Sequence, residues 1–245
     1  MVDYGATAAA AGHNERVRWF ARLWTLWARL RQRHAWRQGV PREELVRRFA
    51  SGQSFVDVGA MWRVDGAIAF LAEESGATSV TAVDVMAPTD ADEAEHARRA
   101  SGVRFVPGDV HDPSVIDRVG PHDVVWCSGL LYHSPHPLLV LERLRAITRQ
   151  TLILATETIP EVPGLAGGCV FWPGLPDPDR RLHANARPGV QAAALDSPFQ
   201  RSQSYEAWWW GISRTALRGM LKASGFAVRE EHGGPLHATV IAVPA

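Results

Sequence analysis

Short apolar runs alternate with segments of helical periodicity from residue 53 to the end of the chain. Consecutive β-branched and apolar residues are typical of strands that are buried on both faces of a parallel sheet. Between these runs, apolar residues recur at the spacing of helices that cover such a sheet. The predicted strands are 55–58, 79–84, 103–106, 123–127, 151–155, a run that begins at 225, and 237–243. The alternation predicts an α/β fold with a seven-stranded, mostly parallel sheet and helices on both faces.

The last two predicted strands form a hairpin. A Gly-Gly-Pro turn over 233–235 connects them, so the last strand should run antiparallel to its neighbours. A six-stranded dinucleotide-binding sheet has no need of this hairpin, which therefore distinguishes the predicted fold from that class.

Two segments before the first strand also have helical patterns. Residues 16 to 38 place tryptophan, phenylalanine and leucine on one broad stripe, with arginines opposite, and residues 41–49 begin with a proline in the first turn. We predict an N-terminal helical extension over 1–52, followed by one domain over 53–245. The favoured role of the first helix is packing on this domain. Homodimerisation through that helix and association with a membrane surface are the alternatives.

Residues 159–203 show neither the periodicity of a strand nor that of a helix, and they are rich in proline and glycine. A long irregular segment inside a compact domain is usually functional or disordered, and we interpret this one as a lid-like insertion. Its side chains suit a polar, ring-shaped substrate; they include Phe171, Trp172, Arg180, Arg181, Asn185 and Arg187. Three consecutive tryptophans, 208–210, follow it, and core packing is the favoured role of each.

The segment 54–84 has the order strand, glycine turn, helix, strand and acid. Gly59 allows the backbone to approach a ligand closely, and the carboxylate of Asp84 can accept hydrogen bonds from both hydroxyls of a ribose. The turn is not a dinucleotide fingerprint, because residues 60–62 are Ala-Met-Trp where further glycines would admit a pyrophosphate. A nucleoside cofactor without phosphates fits this turn better.

This segment resembles the first motif of the class I S-adenosylmethionine-dependent methyltransferases, in which acid-x-Gly-x-Gly-x-Gly follows strand one and an acid ends strand two. Asp57, Gly59 and Asp84 match, whereas Met61 stands at the second glycine. The resemblance covers about 54–157 and 213–243, and implies a Rossmann-like sheet with S-adenosylmethionine as cofactor. It implies that Asp84 binds the ribose and Asp109 the adenine amino group. The implied cofactor-binding residues are Asp57, Gly59, Ala60, Met61, Asp84, Val85, Asp109, Val110 and Ser128.

Methyl transfer to an alcohol requires a base, because the hydroxyl loses its proton during attack. His133, in the loop after the fourth strand, is the predicted base, with capping or packing as its structural alternative. Glu157 is the second catalytic candidate, because the carboxyl end of the fifth strand faces the ligand crevice. It would bind substrate hydroxyls or a divalent ion. Whether Mg²⁺ holds a sugar diol here is left as an alternative. The region distantly resembles sugar O-methyltransferases that work in this way, although the sequence contains no defined metal motif.

The predicted function is S-adenosylmethionine-dependent O-methylation of a small polar acceptor, with a sugar or glycan favoured. An alternative on the same fold is modification of the wobble uridine of transfer RNA, because residues 130–148 and 152–158 loosely resemble the enzymes that do this. A third hypothesis is a non-catalytic, cofactor-binding scaffold, which the irregular turn at 60–62 motivates.

Charge and cysteine content narrow these hypotheses. Lys+Arg and Asp+Glu number 26 each, so the chain lacks the global basic field that a dedicated nucleic-acid-binding protein would carry. The two cysteines are too few for a disulfide framework, which favours a cytoplasmic setting. No apolar run approaches the length of about 20 residues that crosses a bilayer. These features favour a small-molecule or glycan substrate over nucleic acid.

Overall fold

The computed structural model describes residues 40–61, 65–161, 164, 166–184, 207–234 and 236–245. The predicted N-terminal helix, Trp62, Asn185 and Arg187 lie outside the described residues. The strands are β1 (Ser54–Val58), β2 (Ser79–Asp84), β3 (Arg104–Pro107), β4 (His122–Ser128), β5 (Thr148–Glu157), β6 (Cys169–Phe171), β7 (Trp210–Ile212), β8 (Phe226–Gly234) and β9 (His237–Pro244). The described helices are α1 (Arg42–Ala50), α2 (Ala67–Glu74), α3 (Asp90–Arg98), α4 (Pro113–Val119), α5 (Pro137–Ile147), α6 (Asp177–Ala184) and α7 (Arg214–Ala223).

The main sheet has seven strands in the order β3-β2-β1-β4-β5-β9-β8. The pairs from β3 to β5 are parallel, and β9 lies antiparallel between β5 and β8. The seven-stranded, mostly parallel sheet with an antiparallel last strand is thus confirmed. The direction in which successive strands are added reverses between β1 and β4, and ligands bind at such a switch point in open α/β sheets.

Each face of the sheet carries its own hydrophobic cluster. Phe55 of β1 packs on one side with the apolar residues of α1 and α2, whereas Val56 packs on the other with those of α4, α5 and α7. This alternation follows from the two-residue period of a strand. It confirms the prediction of helices on both faces. It also makes α1 part of the packed core, since Leu45 and Val46 are fully buried.

Helices α3 and α4 were not evident from hydrophobic periodicity. No residue of α3 is buried, and its stabilising contacts are polar: Thr89 and Asp92 form a capping box, and Glu95 pairs with Arg99 one turn later. Helix α4 begins after Asp112, whose side chain accepts the N–H of Ser114. Helix α3 is therefore specified by its first turn rather than by an apolar stripe, whereas α4 combines its cap with the buried Val115, Ile116 and Val119.

The first part of the insertion is more regular than its composition predicts. Strand β6 pairs antiparallel with β7, a bridge joins Ile159 to Ser213, and α6 follows. A small buried cluster of Ile159, Trp172 and Trp208 packs against Tyr132. The described part of the insertion is therefore fixed to the segment 208–213 and to the loop after β4. Among the described helices, none has the length and apolarity needed to cross a membrane.

Candidate active site

The loops after β1 and β4 approach each other closely at the switch point. Gly59 directly follows β1 with a φ of +86°, and a Cβ at this position would lie 3.3 Å from the carbonyl oxygen of Ser128. A side chain here would be strained and would also press on the backbone of the neighbouring strand. Glycine therefore keeps the two loops close while leaving the mouth of the crevice open. Ser128, a predicted cofactor residue, is the last residue of β4 and lies opposite Gly59.

Asp84 is held by backbone groups on both sides. Its Oδ2 accepts the N–H of Met61 at 2.8 Å, and its Oδ1 accepts the N–H of Met86 at 2.9 Å. An ionised carboxylate has about four acceptor sites, so these two bonds leave capacity for the hydroxyls of a ribose. The side chains of Ala60 and Met61 are buried, at 0% and 5% exposure. These two residues therefore shape the site with their backbone.

Asp57 lies beneath this loop and is almost completely buried. Its carboxylate accepts the N–H of Ala69 in the first turn of α2, while its Oδ2 has no hydrogen-bond partner. Burial, reinforced by the charge of Asp84, raises the pKa of Asp57 to about 7. Asp57 thus anchors the start of α2 to β1, and it retains one buried oxygen that a donor would stabilise.

An exposed apolar surface lies beside the acid that follows β3. Val85 and Met86 are 42% and 43% exposed directly after Asp84. Asp109 follows β3, the strand adjacent to β2, and its Oδ1 accepts the backbone N–H of His111 at 2.9 Å. Val110 is buried in the core, so only its backbone is available to a ligand. An apolar surface next to an acceptor suits a flat heterocycle that carries an amino group.

His133 has a defined tautomer. Its Nδ1 lies 3.0 Å from the carbonyl oxygen of Ala207, which only accepts, so Nδ1 carries the proton and Nε2 keeps its lone pair. Burial lowers the pKa of His133 to about 4, although the charge of Glu157 acts in the opposite direction. The ring packs 4.2 Å from that of Tyr132. At neutral pH His133 is therefore an uncharged imidazole in a fixed orientation.

Glu157 is the last residue of β5, at the edge where the prediction placed it. Its side chain is 11% exposed, and Oε1 lies 3.6 Å from His237 Nδ1 on the adjacent strand β9. The charge of Glu157 acts to raise the pKa of His133, so the two catalytic candidates lie close enough to interact electrostatically. Within the described ranges, no three His, Cys, Asp or Glu side chains form a group suited to a metal ion.

Three further contributions were not identified from the sequence. Ala207 orients His133 through a backbone carbonyl, which has no sequence signature. His111 and Ser134 form a hydrogen bond between the loops after β3 and β4. His111 belongs to the motif Gly-Asp-Val-His-Asp over 108–112, which the sequence does single out. Its contact with Ser134 could not be predicted, because the two residues are 23 positions apart.

No protein-family model and no curated protein matches the sequence. Solved structures do match it. The N-terminal domain of EvdMO1 with SAH bound is 18% identical, with a TM-score of 0.55 over 86% of this chain and 83% of that chain. A 1,6-didemethyltoxoflavin-N1-methyltransferase from Burkholderia thailandensis, with bound 1,6-didemethyltoxoflavin and S-adenosylhomocysteine, is 17% identical, with a TM-score of 0.54 over 100% of this chain and 93% of that one.

An O-methyltransferase family protein from Burkholderia thailandensis is 15% identical, with a TM-score of 0.55 over 89% of this chain and 57% of that one. Identities this low establish the fold, whereas activity depends on the residues of the site. The fold of this chain is that of the class I S-adenosylmethionine-dependent methyltransferases.

Proposed function

We propose that this chain is an S-adenosylmethionine-dependent methyltransferase that methylates a hydroxyl group of a small polar acceptor, with a sugar or glycan as the favoured class. The observation that carries the proposal is the tautomer of His133, whose protonated Nδ1 donates to Ala207 and whose Nε2 is left as a base. This nitrogen belongs to the loop that follows β4, adjacent to the strand-order switch point where a cofactor would bind.

The residues of the crevice fit the proposed cofactor. Gly59 leaves room for close approach, and Asp84 retains acceptor sites for ribose hydroxyls. The buried Oδ2 of Asp57 would be satisfied by a donor such as the ammonium group of an amino acid. Val85 and Met86 offer an apolar surface for adenine beside Asp109. When bound, S-adenosylmethionine supplies an electrophilic methyl group on a sulfonium that is a good leaving group.

His133 acts on the proton of the acceptor. A neutral hydroxyl becomes strongly acidic as its oxygen forms a bond to carbon, so a base with a pKa of about 4 suffices to take the proton in the transition state. Because Nδ1 is already fixed by Ala207, Nε2 receives this proton without a rotation of the ring. The charge of Glu157 then stabilises the imidazolium that forms.

Two features favour a sugar as acceptor. Tyr132 is only partly buried and its ring centroid lies 4.2 Å from that of His133, and the apolar faces of sugar rings pack well on aromatic side chains. One matching structure is the N-terminal domain of EvdMO1 in the presence of SAH and D-fucose, at 19% identity and a TM-score of 0.55. Glu157 would bind neighbouring hydroxyls of such an acceptor, through a divalent ion or without one.

The test is methylation of a panel of sugars by the full chain. The protein is incubated with S-adenosylmethionine and each acceptor, and products are analysed by mass spectrometry for a methyl ether. We expect one class of polyhydroxy acceptor to yield S-adenosylhomocysteine and the ether in equal amounts. Binding of S-adenosylhomocysteine without turnover of any acceptor would instead support the scaffold hypothesis. Exhaustive chelation during the assay tests the Mg²⁺ alternative, which survives only if activity is lost.

Transfer RNA is the alternative acceptor. Its phosphates would require cationic contacts, so binding should weaken steeply as salt rises. A filter-binding assay with total transfer RNA across a salt series distinguishes the two acceptors. We expect the protein to retain no transfer RNA on the filter in a salt-dependent manner. Tight binding at low salt, together with a modified uridine after incubation, would replace the sugar proposal.

A further inference from the structure

A chain of hydrogen bonds joins the loop after β3 to the loop that carries His133. His111 Nδ1 lies 2.6 Å from Asp109 Oδ1, and His111 Nε2 lies 2.7 Å from Ser134 Oγ. Ser134 Oγ in turn accepts the backbone N–H of His136 at 2.9 Å. We refer to the side chains of Asp109, His111 and Ser134 as the Asp-His-Ser bridge.

The direction of each hydrogen bond in the bridge follows from its chemistry. With the Asp109 carboxylate as acceptor, Nδ1 of His111 carries the proton and Nε2 accepts the hydroxyl proton of Ser134. Ser134 then has a lone pair for the N–H of His136, so one arrangement satisfies every contact. The backbone N–H of His111 adds a second bond to Asp109 Oδ1 at 2.9 Å. The bridge therefore fixes the carboxylate at one end and the serine at the other.

The bridge is shielded from water, except at its acidic end. Ser134 is 3% exposed, and the side chain of His111 is 18% exposed. The Asp109 side chain is 34% exposed, as a ligand-binding acid must be. Hydrogen bonds that are protected from solvent resist competition by water and hold their partners rigidly. A change in the position of Asp109 is therefore transmitted to Ser134, the residue next to His133.

We propose that His111 is a positioning residue that couples occupancy of the adenine subsite to the orientation of the His133 loop. This inference rests on the proposed function, since it takes Asp109 as the adenine acid and His133 as the base. An adenine amino group that binds Asp109 fixes the carboxylate. Through His111 it also fixes Ser134, and with it the adjoining backbone from which the His133 side chain reaches Ala207. Cofactor binding thereby prepares the base before the acceptor arrives.

Amide substitutions separate the two ends of the bridge. The side-chain amide nitrogen of asparagine occupies about the position of Nδ1, and that of glutamine about the position of Nε2. His111→Asn should therefore keep the contact with Asp109 and lose Ser134, whereas His111→Gln should do the reverse. Ser134→Ala removes the far end of the bridge together with the acceptor of the His136 N–H. The control is His232→Asn, because His232 also contacts an acid two residues away, Glu230, but lies on the opposite edge of the sheet.

Adenosine is the probe, since it fills the adenine and ribose subsites without reaching the position of the reacting sulfur. Its affinity is measured by calorimetry, and the ring signal of His133 is followed by NMR. We expect adenosine to shift this signal in the wild type and in His232→Asn. In His111→Asn and Ser134→Ala, adenosine should bind within about twofold of the wild type but leave the signal unshifted. His111→Gln should weaken adenosine binding by about tenfold.

Two failures are distinguishable. If the wild type binds neither adenosine nor S-adenosylhomocysteine, the proposed function is wrong, and the inference falls with it. If the wild type binds both but the His133 signal still shifts in His111→Asn and in Ser134→Ala, the coupling does not exist although the function stands. Thermal unfolding of each variant confirms that it is folded. Since the two variants alter different residues, misfolding of one leaves the other to decide.

Discussion

The backbone N–H of Met61 donates to Asp84 Oδ2 over 2.8 Å, so the loop after β1 and the acid that ends β2 hold each other in place. The residue that departs from the glycine-rich motif therefore contributes a backbone group, and its side chain is buried. This explains how a methionine can occupy the position of the second glycine. It also gives Asp84 a structural task, the shape of the loop, in addition to the proposed contact with the ribose.

Replacement of Asp84 should abolish most of the affinity for the cofactor. Asp84→Ala removes an acceptor for two ribose hydroxyls, and hydrogen bonds to a charged group contribute about 1.5–3 kcal/mol each. We expect the dissociation constant of S-adenosylhomocysteine to rise by about 100-fold or more in calorimetry. Asp117→Ala, an exposed acid on α4, is the control and should bind as the wild type does. Unchanged affinity in Asp84→Ala would show that the ribose lies elsewhere.

A pair of glycine substitutions tests the close approach of the two loops. Gly59 and Gly52 have φ values of +86° and +71°, so alanine at either position should cost about 1 kcal/mol of unfolding free energy. Only at Gly59 would the new Cβ meet another strand, 3.3 Å from the carbonyl oxygen of Ser128. We expect the two variants to lose similar amounts of unfolding free energy in chemical denaturation. Only Gly59→Ala should bind S-adenosylhomocysteine more weakly than the wild type. Equal binding by both variants would mean that the crevice does not depend on this contact.

The sequence was most informative where local patterns coincide with buried structure. Strands β1 and β2 were predictable because each is a short run rich in β-branched and apolar residues, and Asp57, Gly59 and Asp84 lie at their carboxyl ends. Helix α3 was not predictable from periodicity, because none of its residues is buried. The apolar pattern thus identifies what the core requires, and it gives no information about helices stabilised by capping and surface ion pairs.

The contacts that orient the site depend on residues far apart in the sequence. Ala207 is 74 positions from His133 and contributes a carbonyl oxygen that any residue type would provide. The bond from Met61 to Asp84 spans 23 positions and also uses a backbone group. Residue identity therefore predicts which side chains carry the chemistry. The orientation of those side chains becomes visible only once the fold places the backbone partners beside them.

The buried carboxyl of Asp57 should make stability depend on pH. Its pKa is raised to about 7 in the folded chain, so between about pH 4 and 7 the folded state holds a proton that the unfolded state has released. Unfolding free energy should consequently fall as pH rises through this window, by about 2–3 kcal/mol between pH 5 and 8. Asp57→Asn cannot ionise and should lack this decline. Urea denaturation without cofactor at the two pH values measures the difference, and parallel declines in both proteins would exclude Asp57 as its source.

Removal of the base should affect turnover and leave cofactor binding intact. His133→Asn retains a donor near the position of Nδ1, so the hydrogen bond to Ala207 is kept while the basic Nε2 is lost. General base catalysis contributes about 100-fold to 10,000-fold, and we expect kcat to fall within that range for the acceptor found in the sugar panel. The dissociation constant of S-adenosylhomocysteine should change by less than about twofold. A variant that retains full kcat would leave His133 with a packing role only.

The pH dependence of turnover provides a second test of the base. Burial lowers the pKa of His133 to about 4, so its unprotonated form predominates throughout the range in which an ordinary histidine, with a pKa near 6.5, becomes charged. We expect kcat/KM to show no loss attributable to His133 as pH falls from 8 to about 6, and to decline only as pH approaches the lowered pKa. NMR titration of the His133 ring measures the same pKa directly. A titration of His133 centred near 6.5, together with a matching limb in kcat/KM, would show that its ring is solvated and that a charged imidazolium competes with the base at neutral pH.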